Sequence, residues 1–246
     1  MDGVSILLIV LGIILFLLLL TALFYKAFFK RFWDIVLSFL AIIILSPLYL
    51  ILTVAVRIGM GKPVFFAQER IGRKGQIFKL YKYRSMTNET DENGNLLDES
   101  IRLTKFGTFL RSTSLDELPE LFAILLGKMS IIGPRPQPKY YGPYYTEEEF
   151  HIYDVRGGLL PPDSMGGKPI CTWEEQFKYE LYYVNHVSLF LDLKVLFSTF
   201  LVLIRRLKTN YGLDERPHLN EYRESWNVPK EIIDEWSRKG VEKNDW

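Results

Sequence analysis

Two adjacent carboxylates, Asp116 and Glu117, stand in the part of the chain that is richest in side chains able to do chemistry. Arg111 precedes them, and Arg135 follows between two prolines. A carboxylate beside arginines stays ionised at neutral pH and can act as a nucleophile. A guanidinium on a stiff backbone can bind a phosphate in fixed geometry. This combination predicts chemistry on a phosphate group.

The two carboxylates come directly before a predicted helix. Its apolar positions recur at helical spacing, and a glycine is placed to end it: Leu118, Leu121, Phe122, Leu125 and Gly127. Ser114 and Glu117 can form a capping box, or Asp116 can be the N-cap with Pro119 in the first turn. Both alternatives place the carboxylates at a helix N-terminus, where an acidic residue is often only a cap. Two adjacent carboxylates with Arg111 exceed what a cap needs.

A strongly basic segment runs from Arg57 to Arg84, with eight Lys or Arg residues and one acidic residue, Glu69. Such a segment suits a phosphorylated ligand or lipid headgroups. Residues 76–86 alternate apolar and polar positions, which predicts a half-buried strand or an extended edge. The alternation points Lys79 to one face and Lys82 and Arg84 to the other, so we include Lys82 and Arg84 among the candidate phosphate-binding residues.

The first element that must position these residues is an apolar block at residues 5–25, which carries no charge. A helix of this length covers about 30 Å, the thickness of a hydrocarbon core. Lys26, Lys30 and Arg31 follow it, which places the N-terminus outside and the remainder in the cytoplasm. No basic residue precedes the block, so we predict a membrane-spanning anchor and not a signal peptide.

A second apolar block covers residues 32–56 and has basic residues on both flanks. A crossing would place one of these basic clusters outside, against the charge bias. Ser46 and Pro47 lie in the middle, and a proline there disfavours a straight helix. We therefore predict a re-entrant helix that bends near Ser46-Pro47 and returns to the cytoplasmic face. A kinked ordinary span is the alternative.

Composition excludes several classes of protein. The 246 residues include 30 Lys or Arg and 29 Asp or Glu, and a net charge of +1 argues against a nucleic-acid binder. One Cys excludes a disulfide framework, and three separated His make a His-ligated metal centre improbable.

These features resemble the bacterial monotopic phosphoglycosyl transferases, the bacterial sugar transferase proteins that begin glycan assembly on polyprenyl phosphate. The resemblance extends from about Lys30 to Arg206. It rests on an ordered series of motifs: Lys30, Arg31 and Asp34; Ser46-Pro47; Gln68-Glu69-Arg70; Lys82-Tyr83-Arg84-Ser85-Met86; Thr104-Lys105-Phe106-Gly107; Ser114-Leu115-Asp116-Glu117-Leu118-Pro119; Gly133-Pro134-Arg135-Pro136; Trp173-Glu174-Glu175; Tyr182-Tyr183-Val184; and Leu191-Asp192-Leu193-Lys194.

The resemblance implies that Asp116 and Glu117 are a catalytic pair and that Lys82, Arg111 and Arg135 handle phosphate. It implies transfer of a phospho-sugar from a UDP-sugar to polyprenyl (undecaprenyl) phosphate, with release of UMP, through a covalent phosphosugar-aspartyl intermediate. Mg²⁺ bridging the diphosphate and Asp116 would neutralise charge. The chain departs from the usual pattern at Ala123 and Lys128.

A further departure is the sequence Gly158-Leu159-Leu160-Pro161-Pro162, where the family has a different loop motif. Recognition of the nucleotide or sugar by this loop is therefore expected to differ from that of the family.

The expected fold is a membrane-associated α/β protein, mostly helical, with a small cytoplasmic catalytic domain and interfacial helices. We divide it into an N-terminal transmembrane anchor (1–29), the re-entrant helix with the catalytic domain (30–209), and a polar C-terminal tail (210–246). The expected location is the bacterial cytoplasmic membrane, with the domain on the cytoplasmic face.

The expected partners are membrane lipids and downstream glycosyltransferases; an oligomer is left open. Two other hypotheses are a non-catalytic membrane scaffold that binds anionic lipids or glycan-assembly partners, and a metal-dependent phosphohydrolase with water as acceptor.

Overall fold

The computed structural model describes residues 3–206 and 216–241. This part of the chain is mostly helical, as predicted, and contains two two-stranded sheets. The α-helices in chain order are α1 Gly3–Phe24, α2 Lys30–Ile44, α3 Ser46–Met60, α4 Glu99–Arg102, α5 Lys105–Ser112, α6 Glu120–Leu125, α7 Glu147–Phe150, α8 Trp173–Asn185, α9 Leu189–Arg206, α10 Leu219–Tyr222 and α11 Lys230–Arg238. The strands are β1 Phe65–Ile71, β2 Ile77–Tyr83, β3 Ser130–Ile132 and β4 Gly158–Leu160.

Short helices of other types join these elements. A π-helix, Tyr25–Phe29, connects α1 to α2. The 3₁₀ turns are Arg73–Gly75, Leu115–Glu117, Lys139–Tyr144, His151–Asp154, Pro162–Gly166 and Glu224–Trp226.

Helix α1 is the predicted apolar helix. Its segment Gly3–Thr21 has a mean hydropathy of 3.2, and none of that segment is buried inside the protein. Within residues 3–206 and 216–241 it is the one unbroken helix long and apolar enough to cross a membrane. The helix is confirmed, and the crossing itself stays a prediction.

Helices α2 and α3 form one bent pair, with an angle of 63° between the segment Tyr25–Ile44 and α3. The bend lies at Leu45, directly before Ser46-Pro47. Pro47 falls in the first turn of α3, where a missing N–H costs little. The predicted position of the break is confirmed. Its re-entrant course in a membrane is a separate proposal.

Polar residues at the start of α2 fasten the bent pair to the rest of the protein. Lys30 Nζ lies 2.7 Å from Asp192 Oδ2 on α9. Arg31 donates to the carbonyl oxygens of Ile124 and Leu125 at the end of α6, at 2.7 and 3.0 Å. These contacts explain why basic residues stand where the helix begins.

Asp34 provides a further attachment, this time to a strand. Its Oδ1 accepts hydrogen bonds from Ser130 Oγ at 3.0 Å and from the Ile131 N–H at 2.8 Å, both in β3. Asp34 is itself buried, at 4% exposed. A buried carboxylate is costly unless it is hydrogen-bonded, and β3 supplies those bonds.

Strands β1 and β2 form an antiparallel hairpin in which Phe66 faces Lys82 and Glu69 faces Lys79. The strand predicted from residues 76–86 is confirmed as β2. Lys79 is exposed, whereas Lys82 is half-buried and Arg84 is buried. Lys79 and Lys82 are three positions apart in β2 and therefore point to opposite faces, as predicted, whereas Arg84 lies just beyond the strand.

The core lies between the hairpin, α6 and the bent helices. Phe78 and Leu80 of β2 pack with Leu121 and Ile124 of α6 and with Met129. Strands β3 and β4 pair in parallel beside this core. The hairpin therefore supports α6 and the turn that precedes it.

Helix α9 is buried on one side, through Leu191, Val195 and Val202, and exposes Phe190 and Phe197 on the other. The interfacial placement expected for helices of this domain stays a prediction. The described part of the predicted tail, residues 216–241, packs on the domain, where Trp236 joins a core cluster with Ile77 and Ile152. Residues 210–215 and 242–246 lie outside the described residues.

Candidate active site

The carboxylates Asp116 and Glu117 lie in the 3₁₀ turn Leu115–Glu117, just ahead of α6. Neither predicted cap is correct. Ser114 adopts a left-handed conformation (φ 56°) and makes no capping hydrogen bond, and α6 begins at Glu120, after Pro119. Leu118 and Pro119 both have helical dihedral angles, but the hydrogen bonds from Leu121 N–H to Leu118 and from Phe122 N–H to Pro119 span three residues, as in a 3₁₀ turn, so the regular α-helix begins only at Glu120.

The end of α6 matches the prediction. The helix finishes at Leu125, and Gly127 follows with a φ of +88°. Glycine adopts this left-handed conformation without the steric penalty of a side chain.

Glu117 is held by two cations. Its Oε1 lies 2.6 Å from Lys82 Nζ and 3.6 Å from Arg135 Nη1. Burial by itself would raise the pKa of Glu117, but the charges of Lys82 and Arg135 outweigh burial and lower this pKa to about 2. Glu117 is therefore an anion at any physiological pH.

Asp116 lies in a different environment, at 8% exposed. Burial and the adjacent charge of Glu117 raise the pKa of Asp116 to about 6, against the opposing effect of Lys82 and Arg111. We expected the arginines to keep this carboxylate fully ionised, and burial proves the larger effect. At neutral pH Asp116 is still mostly ionised, by roughly tenfold.

Glu120 is a third acidic member of this cluster that the sequence reasoning missed. Its Oε1 lies 3.2 Å from Lys82 Nζ, and the side chain is 4% exposed. Burial and the charge of Glu117 raise its pKa to about 7, despite Lys82. The spacing of 116, 117 and 120 offered a signal, since residues three and four apart share a helix face.

Arg111 and Arg135 both belong to the site, Arg111 acting on Asp116 and Arg135 on Glu117. Arg111 donates from Nε to Ser85 Oγ at 3.0 Å, and its charge acts on Asp116. The backbone N–H of Arg135 donates to Glu180 Oε1 at 2.8 Å. Glu180 is fully buried, and burial raises its pKa to about 8. This buried carboxyl, which sequence reasoning also missed, fixes the backbone of Arg135.

Arg84 occupies a different place from the other predicted phosphate-binding residues. Its guanidinium donates to the carbonyl oxygens of Pro63 and Met86, at 3.0 and 3.2 Å. The side chain is buried at 6% exposed. The structure thus brings Lys82, Arg111 and Arg135 to the carboxylates and directs Arg84 to the loop that precedes β1.

The carboxylate turn rests on the bent helices. Tyr49 on α3 donates from its hydroxyl to the carbonyl oxygen of Leu118 at 2.6 Å. Leu52 and Val56 of α3 pack with Tyr83 and Leu110, which flank the turn. The site is therefore built directly against the helix pair that was predicted to enter the membrane.

The residues present fit only a limited kind of metal site. In the described ranges 3–206 and 216–241, no group of three His, Cys, Asp or Glu side chains is placed to hold a metal ion. Mg²⁺ is commonly bound by one or two carboxylates with substrate phosphates and water. Glu117 is neutralised by Lys82 and Arg135, so Asp116 is the carboxylate that suits an ion arriving with a diphosphate.

Comparison with known proteins agrees with this geometry. The family model described as "Bacterial sugar transferase" matches residues 25–206. The chain is 38% identical over 194 residues to the "Uncharacterized sugar transferase EpsL" of Bacillus subtilis (strain 168), an alignment that covers 79% of this chain and 94% of that protein.

Two relatives have names that state a reaction. The chain is 37% identical over 187 residues to the "UDP-glucose:undecaprenyl-phosphate glucose-1-phosphate transferase" of Klebsiella pneumoniae, covering 70% of this chain and 39% of that protein. It is 34% identical over 194 residues to the "UDP-N-acetylgalactosamine-undecaprenyl-phosphate N-acetylgalactosaminephosphotransferase" of Aeromonas hydrophila, covering 76% and 45%. The alignment thus includes less than half of each of these two relatives.

The matched residues 25–206 begin just after α1 and include the bent helices, the hairpin and the carboxylate turn. They contain every side chain placed around Asp116 and Glu117 above. On this match the chain belongs to the bacterial sugar transferase family.

Proposed function

We propose that the protein transfers a phospho-sugar from a UDP-sugar to undecaprenyl phosphate, releasing UMP. The observation that carries this proposal is the pair Asp116 and Glu117, set among Lys82, Arg111 and Arg135 on a turn that rests on α3. The relatives from Klebsiella and Aeromonas, by their names, use UDP-sugars and undecaprenyl phosphate. Their likeness supports the same substrate classes here.

The first half of the reaction is assigned to Asp116. A carboxylate oxygen attacks the β-phosphorus of the UDP-sugar, and a bond forms between them. The bond from that phosphorus to the bridging oxygen breaks, and UMP leaves with the electron pair. The product is a phosphosugar attached to Asp116. Its partial burial suits this role, because a poorly hydrated carboxylate is a better nucleophile.

In the second half, an oxygen of undecaprenyl phosphate attacks the same phosphorus and releases the Asp116 carboxylate. The product is undecaprenyl diphosphate carrying the sugar. No net proton transfer is needed in either displacement, which fits a site that contains carboxylates and cations.

Charge neutralisation is assigned to Lys82, Arg111 and Arg135. Phosphoryl transfer depends more on positioning and electrostatic stabilisation than on proton chemistry. We assign Glu117 to support of the metal or the leaving phosphate through Lys82 and Arg135, the two cations that it holds in place. When bound, Mg²⁺ at Asp116 would add positive charge to the diphosphate.

We place the site at the cytoplasmic face of the bacterial cytoplasmic membrane. Both ends of the bent pair contact the same domain: Arg31 near the start of α2 bonds to α6, and Val56 near the end of α3 packs with Tyr83. A straight helix of this length would separate its ends by about 45 Å. The bend therefore supports a re-entrant course, which would let undecaprenyl phosphate present its phosphate without leaving the bilayer.

Product analysis tests the reaction. The full chain, reconstituted in membrane, is incubated with a set of UDP-sugars, with and without undecaprenyl phosphate, and UMP and the lipid product are measured. We expect sustained UMP release only with the lipid acceptor. Release of free sugar phosphate without the lipid would instead identify a phosphohydrolase, and no turnover of any UDP-sugar would favour a scaffold.

A further inference from the structure

An open cavity of about 260 Å³ lies at the other end of α6 from the carboxylates. It is formed by the turn between β1 and β2, by the turn that follows α6, and by Arg156. Four of its lining residues are basic, namely Arg73, Lys74, Lys128 and Arg156. None of the described lining residues is acidic. Such a lining favours an anion.

Some of the cations in and near the cavity are there because they cap the C-terminal end of α6. Arg31, near the cavity, donates to the carbonyl oxygens of Ile124 and Leu125, and Arg156 Nε donates to that of Gly127 at 2.8 Å. Cations are favourable at a helix C-terminus. Arg73 instead donates to the Asp154 carbonyl oxygen at 3.2 Å, on another segment, and Lys74 is exposed. Arg73 thus bonds to the end of the 3₁₀ turn His151–Asp154, and it is capping of α6 that leaves Arg73 and Lys74 unexplained.

The cations around the cavity also repel one another. After burial, the charges of Arg31 and Arg73 lower the pKa of Arg156, and the opposing charge of Asp34 does not outweigh them. Within residues 3–206 and 216–241, no ion pair joins Arg73, Lys74 or Arg156 to a carboxylate. An anion in the cavity would relieve this repulsion.

The backbone holds one of these cations in an unusual conformation. Lys74 has a φ of 58° and a ψ of 27°, in the left-handed region that a lysine rarely adopts. It lies at the tip of the turn, between Gly72 and Gln76, which also line the cavity. This conformation keeps the residue at the edge of the cavity.

The cavity lies next to exposed apolar side chains. Leu126, beside the lining residues Gly127 and Lys128, is 58% exposed. Arg31 stands near the beginning of α2, which exposes Phe32 and Trp33. The basic cavity thus adjoins the boundary between the apolar bent helices and the polar domain, where lipid headgroups would lie if these helices enter a membrane.

We propose that this cavity binds a phosphate group, from a membrane lipid or a soluble phosphate compound, at a site separate from Asp116 and Glu117. The proposal requires neither the covalent intermediate nor a particular sugar. It rests on the basic lining, on the two cations that capping leaves unexplained, and on the crowding of charge.

Hydrogen exchange of the full chain tests the site. One experiment adds inorganic phosphate to the protein in a neutral detergent; the other compares lipid nanodiscs of phosphatidylcholine with nanodiscs that also contain phosphatidylglycerol. We expect slower exchange at residues 72–78 and 126–130 when phosphate is bound. Slowing by inorganic phosphate identifies a soluble ligand, and slowing by phosphatidylglycerol alone identifies a lipid headgroup.

Matched variants decide whether the cavity is responsible. Lys74→Asn removes a charge and keeps a residue that tolerates a positive φ. It should weaken the binding about fivefold, and adding Arg73→Gln should weaken it about fivefold again. Lys79→Gln, on the same hairpin but outside the cavity, should leave binding unchanged. Absence of slowing in both experiments, or an equal loss in Lys79→Gln, would overturn the proposal.

Discussion

At the scale of residues, the site keeps two neighbouring carboxylates in different states. Glu117 faces Lys82 and Arg135 and has a pKa lowered to about 2. Asp116 is buried beside that negative charge, and its pKa is raised to about 6. Glu117 is therefore ionised at any physiological pH, whereas Asp116 gains or loses its proton near pH 6. Different roles for the two residues follow from this difference.

This difference predicts a pH dependence. Asp116 must be ionised to attack, so the rate should rise with pH through about 6. Glu117→Gln removes a negative charge that raises the pKa of Asp116 and frees Lys82 to lower it further. The rising part of the curve of rate against pH should then move to lower pH by about one unit. The maximal rate should fall roughly 100-fold, the low end of what a positioned side chain contributes.

The measurement is the pH profile of UMP release for the wild type and for Glu117→Gln. Lys79→Gln serves as a control for a charge change away from the site. If the rising part of the profile of Glu117→Gln stays in place or moves to higher pH, the electrostatic coupling assigned to Asp116 and Glu117 is contradicted.

At the scale of elements, strand β2, the bend and the end of α6 could be predicted from local patterns. Alternation fixes the faces of β2, Pro47 fixes the bend, and Gly127 ends α6. The caps at Ser114 and Asp116 were predicted wrongly, because the backbone before Pro119 depends on packing against α3 and β2. The spacing of Glu120 from Asp116 and Glu117 was a signal that sequence reasoning passed over, whereas the burial of Glu120 and Glu180 arises from distant segments that local spacing does not reveal.

The start of α2 should contribute measurably to stability. Arg31→Ala removes two charged hydrogen bonds to α6, at 2.7 and 3.0 Å. Hydrogen bonds to charged groups contribute about 1.5–3 kcal/mol each. Because water can replace part of the lost bonding at the freed carbonyl oxygens of α6, we expect the free energy of unfolding to fall by about 2 kcal/mol. Thermal unfolding in detergent measures this loss. Lys26→Ala removes a charge from an exposed residue nearby and should have little effect; equal shifts would contradict the anchoring role.

At the scale of the whole molecule, the domain holds both ends of the bent helices. Lys30 pairs with Asp192 at one end, and Val56 is fully buried at the other. The basic flanks of this block suggested the same arrangement through the charge bias alone. The sequence could not indicate which parts of the domain would receive these two ends, because the contacts join separate segments: Lys30 and Asp192 are 162 positions apart, and Val56 packs with Leu110 of another helix.

A labelling experiment tests the proposed topology. Lys62 is exposed and follows α3 directly, whereas Gly61 has a φ of 75° that a cysteine would strain. With Cys171 replaced by serine, Lys62→Cys should resist an impermeant thiol reagent in intact cells and react after the cells are opened. Labelling in intact cells would show that the bent pair crosses the membrane. A cysteine at Asp2 should label from outside if α1 spans as predicted.

In the proposed mechanism, Asp116 carries the phosphosugar between the two displacements. The most direct test supplies a UDP-sugar labelled at its β-phosphate, without undecaprenyl phosphate, and maps the labelled peptide after rapid denaturation. The wild type should carry label on Asp116, Glu117→Gln should acquire it slowly, and Asp116→Asn should acquire none. Equal labelling of Asp116→Asn, or label on Glu117 in the wild type, would contradict the assignment.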